Sequence, residues 1–349
     1  MTRMSDTTSF IKFTKVRDIG NQEGKNSDVF LAKDNQLDCE LVIKRIKKEK
    51  FNPEEYFSEA KMIYENKHPH IVEIQYASQD DEYIYMAMPY YKNGSLNSLA
   101  HKRFLSVREI IKYSLELLSA VNCIHSKGLI HLDIKPTNIL LDETGKALLT
   151  DFGLSRYLDE NGIAEQNINY TIHSDPEYLQ NSGRSIQSDI YQIGLTMYRL
   201  CNGVDILSQQ LVELKIQTRE DFEDSVLNGR FPKRDYYLPH IPKKIRKIIN
   251  KALMINPEER YKNTVEMMYD LSVVDDNLDW IFTGNLSNPY VKVDNNYRYS
   301  VIITSKKDIE CYKEKLDTGK KTKIGKYCIK HGKIMSLDKE LQSIVGGIN

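Results

Sequence analysis

The sequence lacks the features of secreted and membrane-spanning proteins. Its five cysteines are odd in number, and their positions show neither a paired spacing nor a metal-ligand spacing. No apolar run approaches the ~20 residues that are needed to cross a bilayer. Residues 1–15 are polar and lack the apolar core of a secretion signal. We therefore expect a cytoplasmic protein with unpaired thiols and no membrane partner.

The sequence also lacks an overall charge. Its 49 basic residues balance 49 acidic residues, so no global field attracts nucleic acid or a membrane surface. Hydrophobic residues make up 40% and charged residues 28% of the chain, which is the balance of a folded globular protein. A length of 349 residues allows two ordinary domains, or one two-lobed domain with a small appendage.

Three chemically different side chains lie close together in residues 129–141, the segment that we call the catalytic loop. Asp133 supplies a carboxylate, Lys135 a cation and Asn138 a neutral oxygen, between apolar flanks. Phosphoryl transfer uses such a set: the carboxylate orients a hydroxyl nucleophile, the ammonium neutralises the moving phosphoryl group, and the amide oxygen helps to bind magnesium. A second carboxylate, Asp151, follows an apolar run and begins an Asp-Phe-Gly motif.

These two motifs together resemble the protein kinase family. An HxDxKxxN loop followed by DFG at this interval is much more specific than either motif alone, and Lys135 resembles the serine/threonine branch. The family usually has an arginine where this sequence has Leu132. A later Asp-Pro-Glu motif that ends at Glu177, and Arg260 after it, favour a protein kinase over a small-molecule kinase. We expect Glu177 to pair with Arg260.

The resemblance covers about residues 13–271 and implies an α+β, two-lobed kinase fold. Its N-lobe, residues 13–88, would hold a five-stranded sheet and one main helix. Residues 89–91 would form the hinge and residues 92–271 a mostly helical C-lobe. The remaining parts would be an N-terminal tail (1–12), an acidic linker (272–282) and a small basic α+β domain (283–349).

The resemblance also implies an ATP site in the N-lobe. Lys44 ends an apolar strand and would grip the inner phosphates, held by Glu59 on a helix that Asn52 would cap. A solvated strand lysine is the alternative. The residues that would contact the nucleotide are Gly20, Gly24, Val29, Lys44, Pro89, Tyr91 and Leu140. The glycine loop departs from the family, because its spacing is about two residues longer and Ser27 replaces the last glycine.

Each member of the catalytic loop then takes a role from the resemblance. Asp133 would position the serine or threonine hydroxyl of a protein substrate, and Lys135 would contact the γ-phosphate of ATP. Asn138 and Asp151 would bind Mg²⁺. We expect Asp189 to hold the loop backbone and His131 to be structural. The alternatives are a pseudokinase scaffold without catalysis and, less favoured, a small-molecule kinase.

Leu132 bears on regulation as well. Kinases that are switched by phosphorylation of the segment after DFG usually pair the new phosphate with the arginine that is absent here. We therefore expect activity that does not depend on phosphorylation at Ser155, Tyr157, Tyr170, Thr171 or Ser174.

The C-terminal region follows a different pattern. Strand-like residues 290–294 and 297–304 flank Asn295-Asn296, which predicts a hairpin. Ile309, Tyr312 and Leu316 predict a short amphipathic helix, and the apolar residues between Leu337 and Val345 predict another. Six lysines lie between residues 319 and 333 without an acid. They indicate a surface for an acidic partner, either protein or nucleic acid, against the alternatives of an ordinary solvated face or docking within the chain.

Overall fold

The computed structural model describes residues 11–19, 27–48, 57–164 and 171–348. The chain divides into two compact units, residues 1–92 and 93–349. Gly20, Gly24, Asn52 and Tyr170, to which the sequence assigned roles, lie outside the described residues.

The first unit contains the predicted five-stranded sheet, which is antiparallel with the order β1-β2-β3-β5-β4. Alternate residues of the neighbouring strands β2 and β3 pack on one face of the sheet, including Phe30, Ala32, Leu41 and Ile43. Helix α1 buries Ala60 and Ile63. The elements are β1 Phe13–Asp18, β2 Ser27–Asp34, β3 Cys39–Lys47, α1 Ser58–Glu65, β4 Tyr76–Gln79 and β5 Tyr83–Pro89.

The second unit begins with a helical part that is organised around one buried helix, Ile186–Asn202 (α5), which packs on α3 and α8. A capping box formed by Ser106 and Glu109 starts α3. In the described ranges no helix combines the length and apolar character needed to cross a membrane. The other elements are α2 Leu96–Lys102, α3 Val107–His125, β6 Leu129–Ile130, β7 Ile139–Leu141, β8 Ala147–Leu149, β9 Arg156–Tyr157, α4 Pro176–Leu179, α6 Ile206–Glu213, α7 Arg219–Leu227, α8 Lys243–Ala252 and α9 Thr264–Ser272.

A second five-stranded sheet and a helix complete this unit. We call this sheet and its helix the C-terminal domain. Its strands are β10 Trp280–Phe282, β11 Tyr290–Asp294, β12 Tyr297–Ile303, β13 Ile309–Lys315 and β14 Lys321–Lys323, followed by α10 Leu337–Gly347. The predicted hairpin at Asn295-Asn296 and the predicted last helix are confirmed.

The helix predicted from Ile309, Tyr312 and Leu316 is wrong, because these residues belong to strand β13 or follow it. Ile309 and Cys311 alternate into the core, and β13 pairs with β12 along its whole length. A short apolar pattern is ambiguous between strand and helix, and here sheet pairing decides between them.

The C-terminal domain packs directly on the helical part. The rings of Phe282 and Phe104 lie 4.7 Å apart, and those of Tyr290 and His240 lie 5.5 Å apart. Arg108 donates from Nε and Nη2 to the two carboxylate oxygens of Asp279, at 2.7 and 2.8 Å. Because of these contacts, removal of the C-terminal domain would uncover an apolar surface. Strand β10 lies at the end of the segment 272–282, which was predicted to be an acidic linker.

Candidate active site

Lys44 and Glu59 form a largely buried ion pair in the first unit. The Lys44 Nζ lies 2.8 and 2.9 Å from the two carboxylate oxygens of Glu59, and each side chain is only 12% exposed. The cross-strand neighbours of Lys44 are Val29 on β2 and Met86 on β5. The sequence prediction that these two charges meet is confirmed, and the pair holds the ammonium in a defined position.

The other predicted nucleotide contacts of this unit lie at the end of β5 and on β2. Pro89 is the last residue of β5 and lies opposite Leu41 on β3. Proline has no backbone N–H, so it offers only its carbonyl. Tyr91 follows two residues later, and Tyr91 and Val29 are both partly exposed. Their contact with a nucleotide stays a prediction.

The catalytic loop of the second unit brings Asp133, Lys135 and Asn138 together, as the sequence predicted. The Lys135 Nζ lies 3.2 Å from Asp133 Oδ2. The Asn138 Nδ2 donates to the backbone oxygen of Asp133 at 2.9 Å and to its Oδ2 at 2.8 Å. Because the amide nitrogen faces Asp133, the amide oxygen of Asn138 is the atom that remains for a metal ion.

Asp151 is delivered to the same place by the β7–β8 hairpin. Ile139 pairs with Leu149, and the Thr150 N–H donates to the Asn138 carbonyl at 3.0 Å. Asp151 itself has a left-handed backbone with φ of 65°. One carboxylate and one amide oxygen suit Mg²⁺, which takes few protein ligands and completes its shell with water and phosphate oxygens. Leu140, paired with Leu148, is partly exposed on this hairpin.

Burial and opposing charges set the pKa of Asp133. Burial raises this pKa, the ammonium of Lys135 lowers it, and the carboxylate of Asp151 raises it, so that the result lies above the usual value for an aspartate. Asp133 is 7% exposed. Its protonation is therefore sensitive to the loss of Lys135.

His131 is structural, in agreement with the sequence prediction. Its Nε2 donates to the Thr150 carbonyl at 3.1 Å, and its Nδ1 accepts the Asp133 N–H at 3.3 Å, the tautomer being assigned from these partners. Burial lowers the pKa of His131, which is therefore neutral. Its ring contacts Phe152 edge to face.

Asp189 binds the catalytic-loop backbone, as predicted. Its carboxylate accepts the N–H groups of His131 and Leu132, each at 2.8 Å, and lies 2.7 Å from Nε2 of His125. Burial alone would raise its pKa, but these hydrogen bonds and the nearby histidines outweigh burial and hold the pKa of Asp189 below its usual value. The contact to His125 was not predicted. Gln192 on the same helix also binds the loop and was not predicted either.

Comparison with known proteins supports the family resemblance that the sequence motifs indicated. A family model described as Protein kinase domain matches residues 13–270, well over half of the chain. The chain belongs to the protein kinase family.

Curated relatives of this kinase are serine/threonine kinases. The probable serine/threonine-protein kinase PknB of Lactococcus lactis is 26% identical over 270 residues, which are 75% of this chain and 42% of that protein. Serine/threonine-protein kinase PrkC of Bacillus subtilis is 27% identical over 261 residues, 72% of this chain and 39% of that protein. CBL-interacting serine/threonine-protein kinase 20 of Arabidopsis thaliana is 29% identical over 201 residues, 56% and 43%. The kinase thus spans about two fifths of the length of these relatives.

Two buried ion pairs hold the segment around Glu177 in the kinase. Glu177 pairs with Arg260 at 2.7 Å, as predicted. Asp175, where the family usually has alanine, pairs with Arg184, which was not predicted. Asp175 also caps α4 by accepting the Tyr178 N–H at 3.1 Å. Breaking a buried pair is costly, so both should fix this segment firmly.

The segment that follows Asp151, residues 152–164, is held by apolar and backbone contacts. Leu132 packs in a cluster with Ile130 and Ala164. The Leu158 N–H donates to the Gly128 carbonyl at 2.7 Å. A side chain at Gly183 would collide with Ile163. The glycine therefore allows Ile163 to pack directly against the backbone at residue 183.

We expect the kinase activity to be independent of phosphorylation at Ser155, Tyr157, Tyr170, Thr171 and Ser174. Leu132 offers no cation to a phosphate, and Ser155 and Ser174 are buried. Phosphatase-treated and mock-treated protein should show equal turnover. Thr171 Oγ1 accepts the His173 N–H, so dephosphorylation is a cleaner test than substitution there. Activity that is lost on phosphatase treatment and regained on autophosphorylation would contradict this expectation.

Lys135→Met should move the acid limb of the activity profile to higher pH. The substitution removes the charge that lowers the pKa of Asp133, so this pKa should rise further. If the ionised carboxylate is the active form, kcat/KM falls as pH drops through that pKa. The measurement is kcat/KM against pH for both proteins, with the exposed Lys102→Met as control. An unshifted acid limb in Lys135→Met would disprove the assignment of that limb to Asp133.

Proposed function

We propose that this kinase transfers the γ-phosphoryl group of magnesium-ATP to serine or threonine hydroxyls of protein substrates. The observation that carries the proposal is the arrangement around Asp133, whose carboxylate lies 3.2 Å from the Lys135 ammonium and 2.8 Å from the Asn138 amide. The serine/threonine specificity rests on Lys135 and on the relatives named above.

Each residue has a role that follows from its chemistry. Magnesium-ATP, when bound, supplies the phosphoryl group. Asp133 accepts a hydrogen bond from the acceptor hydroxyl and orients it, while Lys135 neutralises charge on the phosphoryl group in transit. Asn138 and Asp151 would bind the metal ion. Catalysis is then mainly electrostatic, with charged groups held in place before the substrate arrives.

The first unit would supply the remaining nucleotide contacts. Lys44, oriented by Glu59, would bind the inner phosphates. Val29, Pro89 and Tyr91 of this unit, and Leu140 of the second unit, would contact the adenine and ribose. Gly20 and Gly24 would cover the phosphates in this proposal.

The two alternatives have less support. A pseudokinase scaffold needs no catalytic charges, yet Lys44, Glu59, Asp133, Lys135 and Asp151 are all in place. A small-molecule kinase of the aminoglycoside type would not need the buried pair of Glu177 and Arg260.

Asp133→Ala and Lys44→Ala should each lower turnover by about 10²- to 10³-fold, the usual effect of removing one preorganised electrostatic group. Transfer of labelled phosphate from ATP to a generic basic protein measures this. Asp151→Asn should abolish transfer as well, which separates an enzyme from a scaffold. The exposed Asp81→Ala is the matched control and should keep full activity. A folded Asp133→Ala protein with more than half of the unaltered turnover would refute the proposal.

We also propose that the C-terminal domain binds an acidic segment of a protein substrate. Residues 283–349 contain twelve lysines and one arginine against seven acids. The lysines between residues 320 and 333 are exposed. Lys323 pairs with Glu310 at 2.5 Å and Lys330 with Asp308 at 2.8 Å. The acids nearby therefore neutralise only part of this surface.

The four other lysines of this surface define the test. A variant with Lys320, Lys321, Lys326 and Lys333 all replaced by glutamine should raise KM for acidic peptide substrates and leave kcat unchanged, because docking and chemistry are separate. The control replaces Lys102, Lys243, Lys247 and Lys262, which are exposed elsewhere, and so carries the same change in net charge. Point substitution is preferable to truncation near Leu271, which would uncover Phe104 and His240.

The same proteins distinguish a nucleic-acid partner. Binding to duplex DNA would weaken by roughly 0.9 decades per decade of salt for each phosphate contact. Loss of that binding in the first variant only would assign the surface to nucleic acid. If the unaltered protein and both variants have equal KM values for acidic peptides, and none of them binds DNA at low salt, the lysines form only an ordinary solvated face.

A further inference from the structure

The buried carboxamide of Gln192 hydrogen-bonds to the catalytic loop on both sides of Asp133. Gln192 lies on α5 three residues after Asp189, so the two side chains share a face of the helix, and Gln192 is 2% exposed. Its Oε1 accepts the Ile134 N–H at 2.8 Å, and its Nε2 donates to the Leu132 carbonyl at 2.9 Å. The two bonds bracket the residue that carries the proposed catalytic carboxylate.

The same side chain reaches a second segment of the kinase. Its Nε2 lies 3.4 Å from the carbonyl of His173, which precedes Asp175 and Glu177. The His173 ring is held by α5 too, because Arg199 Nη1 lies 2.9 Å from its Nε2. Gln192 therefore connects the catalytic loop with the segment that leads into α4.

A carboxamide suits this position for a chemical reason. It donates and accepts at once, whereas a carboxylate only accepts and an apolar side chain does neither. Leu132 has a left-handed backbone with φ of 68°, a conformation that is uncommon for residues other than glycine. A fixed partner for its carbonyl helps to maintain that conformation immediately before Asp133.

We propose that Gln192 is a positioning residue for phosphoryl transfer, and this rests on the proposed function of Asp133. By holding Leu132 and Ile134, the carboxamide sets the position of the Asp133 carboxylate relative to the acceptor hydroxyl. The hydrogen bonds of Gln192 go to the backbone of Leu132, Ile134 and His173, and none of these three residues is assigned to the nucleotide. Loss of Gln192 should therefore reduce kcat and leave KM for ATP nearly unchanged.

The test replaces Gln192 by methionine in the full chain. Methionine has a similar shape but leaves the Ile134 N–H without its Gln192 partner and leaves the Leu132 carbonyl with only the longer contact to Arg184 Nη2 at 3.5 Å. A small misplacement of a reacting group can cost up to 10²-fold in rate, and we expect kcat to fall by about tenfold or more. If this variant does not fold, Gln192→Ala takes its place, because the space it leaves allows water to meet both backbone groups.

Gln210 provides a matched control. It is 1% exposed, its Oε1 accepts the Lys233 N–H at 2.9 Å and its Nε2 donates to the Tyr198 hydroxyl at 2.7 Å. Gln210→Met thus removes a buried two-bond carboxamide from the same unit, away from the catalytic loop. It should lower the urea midpoint about as much as Gln192→Met does and leave kcat close to that of the unaltered protein.

Hydrogen exchange of the Ile134 amide provides a readout that needs no catalysis. This amide should be protected in the unaltered protein and exchange faster in Gln192→Met, but not in Gln210→Met. An unprotected Ile134 amide, or a folded Gln192 variant with unaltered kcat in an active kinase, would overturn the proposal. Protection that depends on Gln192 in a protein without any kinase activity would instead refute the proposed function and leave the backbone contact intact.

Discussion

The hydrogen bonds of one buried carboxylate, that of Asp189, are the interaction on which the candidate site of the second unit depends. A charge without access to water must be satisfied by hydrogen bonds, and here the His131 and Leu132 N–H groups satisfy it. The need is mutual, because those N–H groups are buried and have no strand or helix partner. The catalytic loop is therefore held by α5, a helix that is buried along almost its whole length.

The charges around Asp133 would suit a divalent cation. Two carboxylates, Asp133 and Asp151, lie near one ammonium, Lys135. Burial is the main cause of the raised pKa of Asp133, and the Asp151 carboxylate adds to that rise while Lys135 opposes it. A magnesium ion bound by Asp151 and Asn138 would also oppose that rise, because a nearby positive charge favours the ionised carboxylate. The metal and the nucleophile-orienting group would therefore support each other electrostatically as well as geometrically.

The sequence could predict those parts of the site whose members are close in the chain or carry a familiar motif. Asp133, Lys135 and Asn138 share one loop, and Lys44 and Glu59 are strand and helix neighbours. Gln192 could not be found this way, because its partner Ile134 is 58 residues away in the chain. Arg184 could not be found either, because only the packing of the folded chain brings it to Asp175. The strand β13 was mistaken for a helix because only its pairing with β12 shows which of its apolar residues face the core.

The two hydrogen bonds from Asn138 to Asp133 have a consequence for how variants of this kinase are understood. The amide that would bind the metal ion also fixes the carboxylate that would meet the hydroxyl. Loss of the Asn138 side chain would therefore weaken metal affinity and misorient the carboxylate at once. Extra magnesium could compensate only for the first of these defects. Double-mutant cycles between the two positions should be strongly non-additive, so neither residue has a separable share of the rate enhancement.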